Sequence, residues 1–263
     1  MAVLDVIDAL YCIPKNVTVA QPGNCVPYTQ DLAPAMSTHG VSAAVVAPCL
    51  CHLCPHQWSC ADQRTEEVRQ IVRRNPGHLR GLASYDPLRI GESLRWIDDA
   101  IADGSICGAY AQAECCVSGL QAPRMYPLYG ACDKFRVPLV VDFSSRERWL
   151  RHRPQVEVVA ADFPALHIVL APPPGTEAIS ILRMMERFPH LMLLLSPRDL
   201  ADLALCEFVE LAGRERTAFR AHPQEWAVSV PAAQQVPLSP AARKAYLFEN
   251  AARIFKVPLN MTT

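Results

Sequence analysis

The densest chemistry in the chain lies in twelve residues, CLCHLCPHQWSC, which set Cys49, Cys51, Cys54 and Cys60 around His52 and His56. Thiolate and imidazole are the usual ligands of soft and borderline metals, and Cys51-x-x-Cys54 has the spacing that brings two sulfurs to one ion. No second CxxC or HxxxH completes a zinc finger, and the spacing is not that of a ferredoxin run. Zinc, copper and an iron–sulfur cluster all stay open, because the ligand geometry is not written in the sequence.

Eleven cysteines in 263 residues is an odd number. The first residues, Met-Ala-Val-Leu-Asp, carry no basic region of the secretory kind, so a cytoplasmic location is expected. In a reducing compartment, metal binding, redox chemistry or burial explain cysteines better than a disulfide framework. The 25 basic and 26 acidic residues give a net charge of −1 and are spread along the chain, which argues against a nucleic-acid or anionic-membrane surface. No apolar run approaches the roughly 20 residues that span a bilayer. The 23 prolines punctuate element ends. With no repeat and no linker, residues 1–263 read as one domain.

Short β-rich runs alternate with helical patterns, the sequence form of repeated βα units. Strands are expected near residues 3–9, 41–47, 78–84, 106–111, 137–142, 166–171, 191–195 and 216–221. Helices are expected near 29–39, from Asp62, and over 90–102, 125–135, up to about 161, 175–188, 199–212 and 241–255. Ser239 fits the cap of the last helix and Pro240 its first turn. Eight strands alternating with helices give a (β/α)8 barrel, an α/β fold. The cysteine-rich segment then follows strand two.

Five stretches in order carry a resemblance to a known family. They are Val6-Ile-Asp-Ala, Val137-Pro-Leu-Val-Val, Phe163-Pro-Ala-Leu-His-Ile-Val-Leu-Ala, Glu215-Arg-Thr-Ala-Phe, and the ending Leu238-Ser-Pro with Glu249-Asn-Ala-Ala-Arg-Ile-Phe. Together they resemble the amidohydrolase-related family of metal-dependent barrel hydrolases and decarboxylases, over nearly the whole chain. The resemblance implies a metal site on the catalytic face and a small carboxylated substrate. The places of that family's ligands hold other residues here. Leu10 and Cys12 stand for its His-x-His pair, Asp142 and Pro172 for the histidines ending strands five and six, and His222 for its last Asp. Leu10 and Pro172 offer no donor side chain, so the usual zinc centre is not expected.

Catalytic groups in such barrels come from strand C-termini, so Cys12, Asp142 and His222 should converge. They could rebuild a metal site, or act as nucleophile, orienting group and base respectively. They could equally be the remains of a site that has decayed. Cys115 and Cys116, after strand four, join Cys12 and the four cysteines of the segment on the same end of the barrel. Arg220 stands where the family has glycine, and could pair with Asp142 or bind a substrate carboxylate. Cys107, Cys132 and Cys206 read as core. His78, His167 and His190, at strand starts, belong to the opposite end.

The sequence favours a divergent barrel whose cysteine-rich loop holds a soft metal ion or an iron–sulfur cluster, with Cys12, Cys49, Cys51, Cys54, Cys60, Cys115, Cys116, His52 and His56 as its candidate ligands. The competing class is an enzyme, a hydrolase or decarboxylase of a small carboxylated substrate using Cys12, Asp142 and His222. A third class is an inactive barrel serving as a complex subunit or homo-oligomer. Metal analysis and an absorption spectrum of anaerobically purified protein test the first: bound metal or charge-transfer bands are expected, and finding neither removes it.

Overall fold

The structure is a computed structural model that describes residues 5–12, 32–48, 61–113, 119–221 and 225–257. Eight parallel strands run β1 (Val6–Cys12), β2 (Val41–Ala47), β3 (Leu79–Ala83), β4 (Ile106–Gln112), β5 (Leu139–Asp142), β6 (Ile168–Ala171), β7 (Met192–Leu195) and β8 (Thr217–Phe219). Each pairs with the next in chain order, so the sheet curls into a (β/α)8 barrel. The helices between them are α1 (Ala33–His39), α2 (Ala61–Arg74), α3 (Ile90–Ala102), α4 (Tyr126–Phe135), α5 (Arg146–Asp162), α6 (Ala178–Arg187) and α7 (Leu203–Glu210). After β8 come α8 (Trp226–Gln234), α9 (Pro240–Lys244), a π-helical turn over Ala245–Glu249, and α10 (Asn250–Phe255).

Side-chain alternation separates two apolar sets. Ile7, Ala9, Val45, Val140, Val169 and Leu194 fill the barrel. Their neighbours Val6, Val46, Leu139, Ile168 and Leu193 pack outward against the helices. A strand buried on both faces reads as a continuous apolar run, which is why these strands were legible. Ala251, Ile254 and Phe255 of α10 join the interior set. Lys256 bears on the Cys107 thiol near the start of β4, so α10 plugs the bottom of the barrel.

No ladder joins β8 to β1 among the described residues; side chains close that seam. The Asp8 carboxylate accepts from the Ala221 N–H at 3.0 Å and from the Trp226 indole N–H at 2.7 Å. Below it, Asn250 donates to the Thr217 and Arg214 carbonyls, and the Tyr246 hydroxyl donates to the Leu195 carbonyl at 2.9 Å.

The first strand runs three residues further than its expected end at Ala9, through Leu10, Tyr11 and Cys12. A charged residue such as Asp8 suits the end of a strand in a sequence reading, but here the seam donors hold it mid-strand. Helix α8 had no counterpart in the sequence reading, because Pro231 in its interior removes a backbone donor. Cys107, Cys132 and Cys206 are buried, as expected.

Gly108 on β4 sits against β5: a Cβ there would lie 2.6 Å from the Pro138 carbonyl oxygen. Because backbone gives way less readily than a side chain, Gly108→Ala should destabilise the fold by ~1–3 kcal/mol. Gly91→Ala, whose Cβ meets nothing within 4 Å, is the control. Urea midpoints should fall for the first and not for the second.

Candidate active site at the barrel mouth

Four side chains, three on strands and one just past β8, meet at the C-terminal end of the barrel. Cys12 ends β1 and lies half-buried, its Sγ 3.9 Å from the Tyr110 hydroxyl of β4. That hydroxyl donates to Asp142 Oδ2, at the end of β5, at 2.8 Å. Asp142 Oδ1 accepts from the Phe143 N–H at 2.9 Å and faces the Arg220 guanidinium at 3.7 Å. Arg220 follows β8, and its other Nη donates to the Pro172 carbonyl, just past β6. Cys12, Tyr110, Asp142 and Arg220 thus form one connected row of polar groups across the mouth.

Local structure explains the row. Residues alternate along a strand, so Val140 points into the barrel and Asp142, two on, points in at its top. Ala218 and Arg220 repeat the relation on β8. Both ion-pair partners keep little exposure, 13% and 16% of their side chains, so their attraction is screened less than a surface pair's. Burial, and then the nearby Asp142 carboxylate, push the Tyr110 phenol well above its usual range. Tyr110 is therefore a neutral hydroxyl that donates one proton and accepts another.

Of the residues singled out in the sequence, the structure brings together Cys12, Asp142 and Arg220. Cys12 and Asp142 meet through Tyr110. His222 lies outside the described residues, as do Cys49, Cys51, Cys54, Cys60, His52, His56, Cys115 and Cys116. Sequence reasoning missed Tyr110 and Trp226. The available signal for Tyr110 was a large hydroxylated ring in the small-residue strand Ile-Cys-Gly-Ala-Tyr-Ala-Gln. Asp8 had been quoted only as part of a strand motif; a carboxylate inside an apolar run is itself a sign of buried partners. His78 lies at the strand-start end, its Nδ1 3.0 Å from the Ser42 carbonyl, away from the mouth.

The barrel is shared with solved structures over almost its whole length. 5-Carboxyvanillate decarboxylase from Novosphingobium aromaticivorans, in complex with manganese and a nitrobenzoic acid, matches with a TM-score of 0.72 and 13% identity over 97% of this chain and 96% of that one. 2,6-Dihydroxybenzoate decarboxylase from Rhizobium matches at 0.71 and 14%, over 96% and 99%. A proposed amidohydrolase from Staphylococcus aureus matches at 0.71 and 11%, over 96% and 99%. No family model and no curated protein matches the sequence. At these identities the likeness is one of fold, a (β/α)8 barrel. These matches include metal-containing decarboxylases of aromatic acids, and they lend nothing to a cysteine-rich cluster or to an inactive barrel.

The described residues do not fit a divalent ion of that kind. Leu10 is buried apolar surface, and the Pro172 carbonyl already accepts from Arg220. A divalent ion on Asp142 would share that carboxylate with the Arg220 guanidinium, and the two cations would repel. Among the described residues, no group of three His, Cys, Asp or Glu side chains could hold a metal.

Beneath the row, burial raises the Asp8 carboxyl to about 6, against the lowering pull of Trp226, the Ala221 and Leu10 N–H groups and Arg220. The folded state therefore binds this proton more tightly than the unfolded chain, whose value is 3.8. The stability it contributes is full below 3.8 and is lost as pH rises through about 6. It amounts to ~3 kcal/mol across that window. Asp8→Asn should be less stable, since Trp226 loses an acceptor, and should lack this fall between pH 4 and 6.5 in denaturant titrations. An unchanged pH dependence in the variant would contradict the assignment.

Proposed function

We propose that the protein is an enzyme that decarboxylates a small carboxylic acid, of the aromatic kind named for the matched structures, at the C-terminal mouth of its barrel. One observation carries the reading: Cys12, Tyr110 and Asp142, from three strands, and Arg220, just past a fourth, form a single connected row where barrels of this type do their chemistry. The similarity in fold to decarboxylases of aromatic acids supports it. The site residues are our assignment.

Arg220 seats the substrate carboxylate and fixes the orientation of the acid. The carbon bearing that carboxylate takes a proton, the C–C bond breaks, and carbon dioxide leaves without the electron pair. Cys12, half-buried at the rim, is the group placed to give the proton. Tyr110 can turn its hydroxyl from Asp142 to the thiolate that remains, and a proton from solvent restores the thiol. Asp142 holds Tyr110 and Arg220 in place through its two oxygens. His222, beyond the described residues, remains a proposed base.

Carbon dioxide release from a panel of hydroxy- and methoxybenzoates tests this. Turnover of at least one acid is expected. Cys12→Ala and Asp142→Asn should each lower kcat/KM by ~10²-fold or more with melting temperatures near that of the parent. Absence of release across the panel, or full activity in Cys12→Ala, would overturn the reading.

A further inference from the structure

We infer that the Arg220 guanidinium is the resident cation of the mouth, standing in for a divalent metal, and that the site binds the carboxylate of a small monoanionic acid without any metal ion. The inference rests on the mouth being the substrate site and goes further, by naming the cofactor that the site dispenses with.

Three observations carry it. The guanidinium touches two of the places where the resembled family has metal ligands, Asp142 after β5 and Pro172 after β6. It is also close enough to pull on Asp8, inside β1, and on Tyr246 of the terminal helix. A positive charge therefore already stands at the convergence of β1, β5, β6 and β8.

Among the described residues the guanidinium is also not saturated. It offers five N–H donors, and its side-chain partners are one carbonyl and one carboxylate. The carboxylate lies at 3.7 Å, well beyond the 2.7–2.9 Å of a docked charge-assisted bond, so the planar fork is not engaged by Asp142 in the bidentate manner. At 13% exposure the side chain is shielded from bulk water but not sealed, a setting in which an arriving carboxylate can take the fork.

Finally, Asp142 is fixed independently of Arg220. Its oxygens accept from Tyr110 and from the Phe143 N–H, so the guanidinium can turn toward a ligand without leaving a bare buried carboxylate. A ligand with one negative charge matches the single charge of the guanidinium.

Calorimetric titration of EDTA-treated protein with benzoate, and with benzamide as the neutral control, tests the assignment. Benzoate should bind, benzamide should bind at least tenfold more weakly, and added manganese should change the benzoate Kd by less than twofold. Arg220→Ala should weaken benzoate by ~30-fold or more, with partial recovery on adding ethylguanidine. Circular dichroism checks that the variant folds. Should it not, Arg220→Lys keeps the charge but loses the fork, and a loss of ~5-fold is expected. Benzoate binding that requires manganese, or that is unaltered in either variant, overturns the inference. Metal-free benzoate binding with no turnover of any acid would instead remove the decarboxylase reading and leave the cation in place. Manganese-dependent turnover would do the reverse.

Discussion

A buried carboxylate holds this barrel shut. Seven of the eight strand junctions are backbone ladders, whose hydrogen bonds follow from parallel pairing alone. The eighth rests on Asp8, which takes one N–H from the chain just past β8 and one from the first residue of α8. Burying an unpaired carboxylate would be prohibitive, and these donors are what make it tolerable. Trp226 also leans on Tyr11, with ring centroids 4.8 Å apart, so the seam is packed as well as bonded. Everything above it inherits its geometry from that closure, since Arg220 immediately precedes Ala221 and Cys12 lies four residues beyond Asp8.

The charges at the mouth form a graded series. Arg220 is the cation, Asp142 its partner, and Asp8 a carboxyl at the β1–β8 seam whose pKa burial raises to about 6. Tyr246 and Tyr110, both fully buried phenols, supply dipoles that carry no charge of their own. Such an arrangement keeps one positive charge available at the mouth of a largely apolar barrel.

The fold was legible in the sequence because apolar runs buried on both faces recur at βα spacing. Val41–Ala47 and Ile90–Ala102 were placed to the residue. Other boundaries drifted where the deciding contact is long-range. β8 spans only Thr217–Phe219, although the Arg220 N–H still donates to the Leu195 carbonyl at 3.1 Å. The site was legible only in part. Cys12, Asp142 and Arg220 could be found as exceptions to a family pattern, each standing where another residue is usual. Tyr110 breaks no such pattern, and its role follows from a contact with a residue 98 positions away. The same holds for Trp226, whose indole reaches Asp8 across 218 positions. The dense cysteine segment drew attention by composition, which says nothing about where sulfur atoms end up.

The row from Cys12 to Arg220 has a consequence for how this barrel can change. The row spans the mouth like a floor, so on the proposed function the acid group of a substrate meets the row and the remainder is left to the loops that follow the strands. Recognition of the acid group and accommodation of its remainder would then be carried by separate parts of the chain. Loops tolerate insertion and substitution far better than a packed barrel does. On the proposed function, new shapes of substrate would be admitted by remodelling those loops, while the strand ends that carry the row stay as they are.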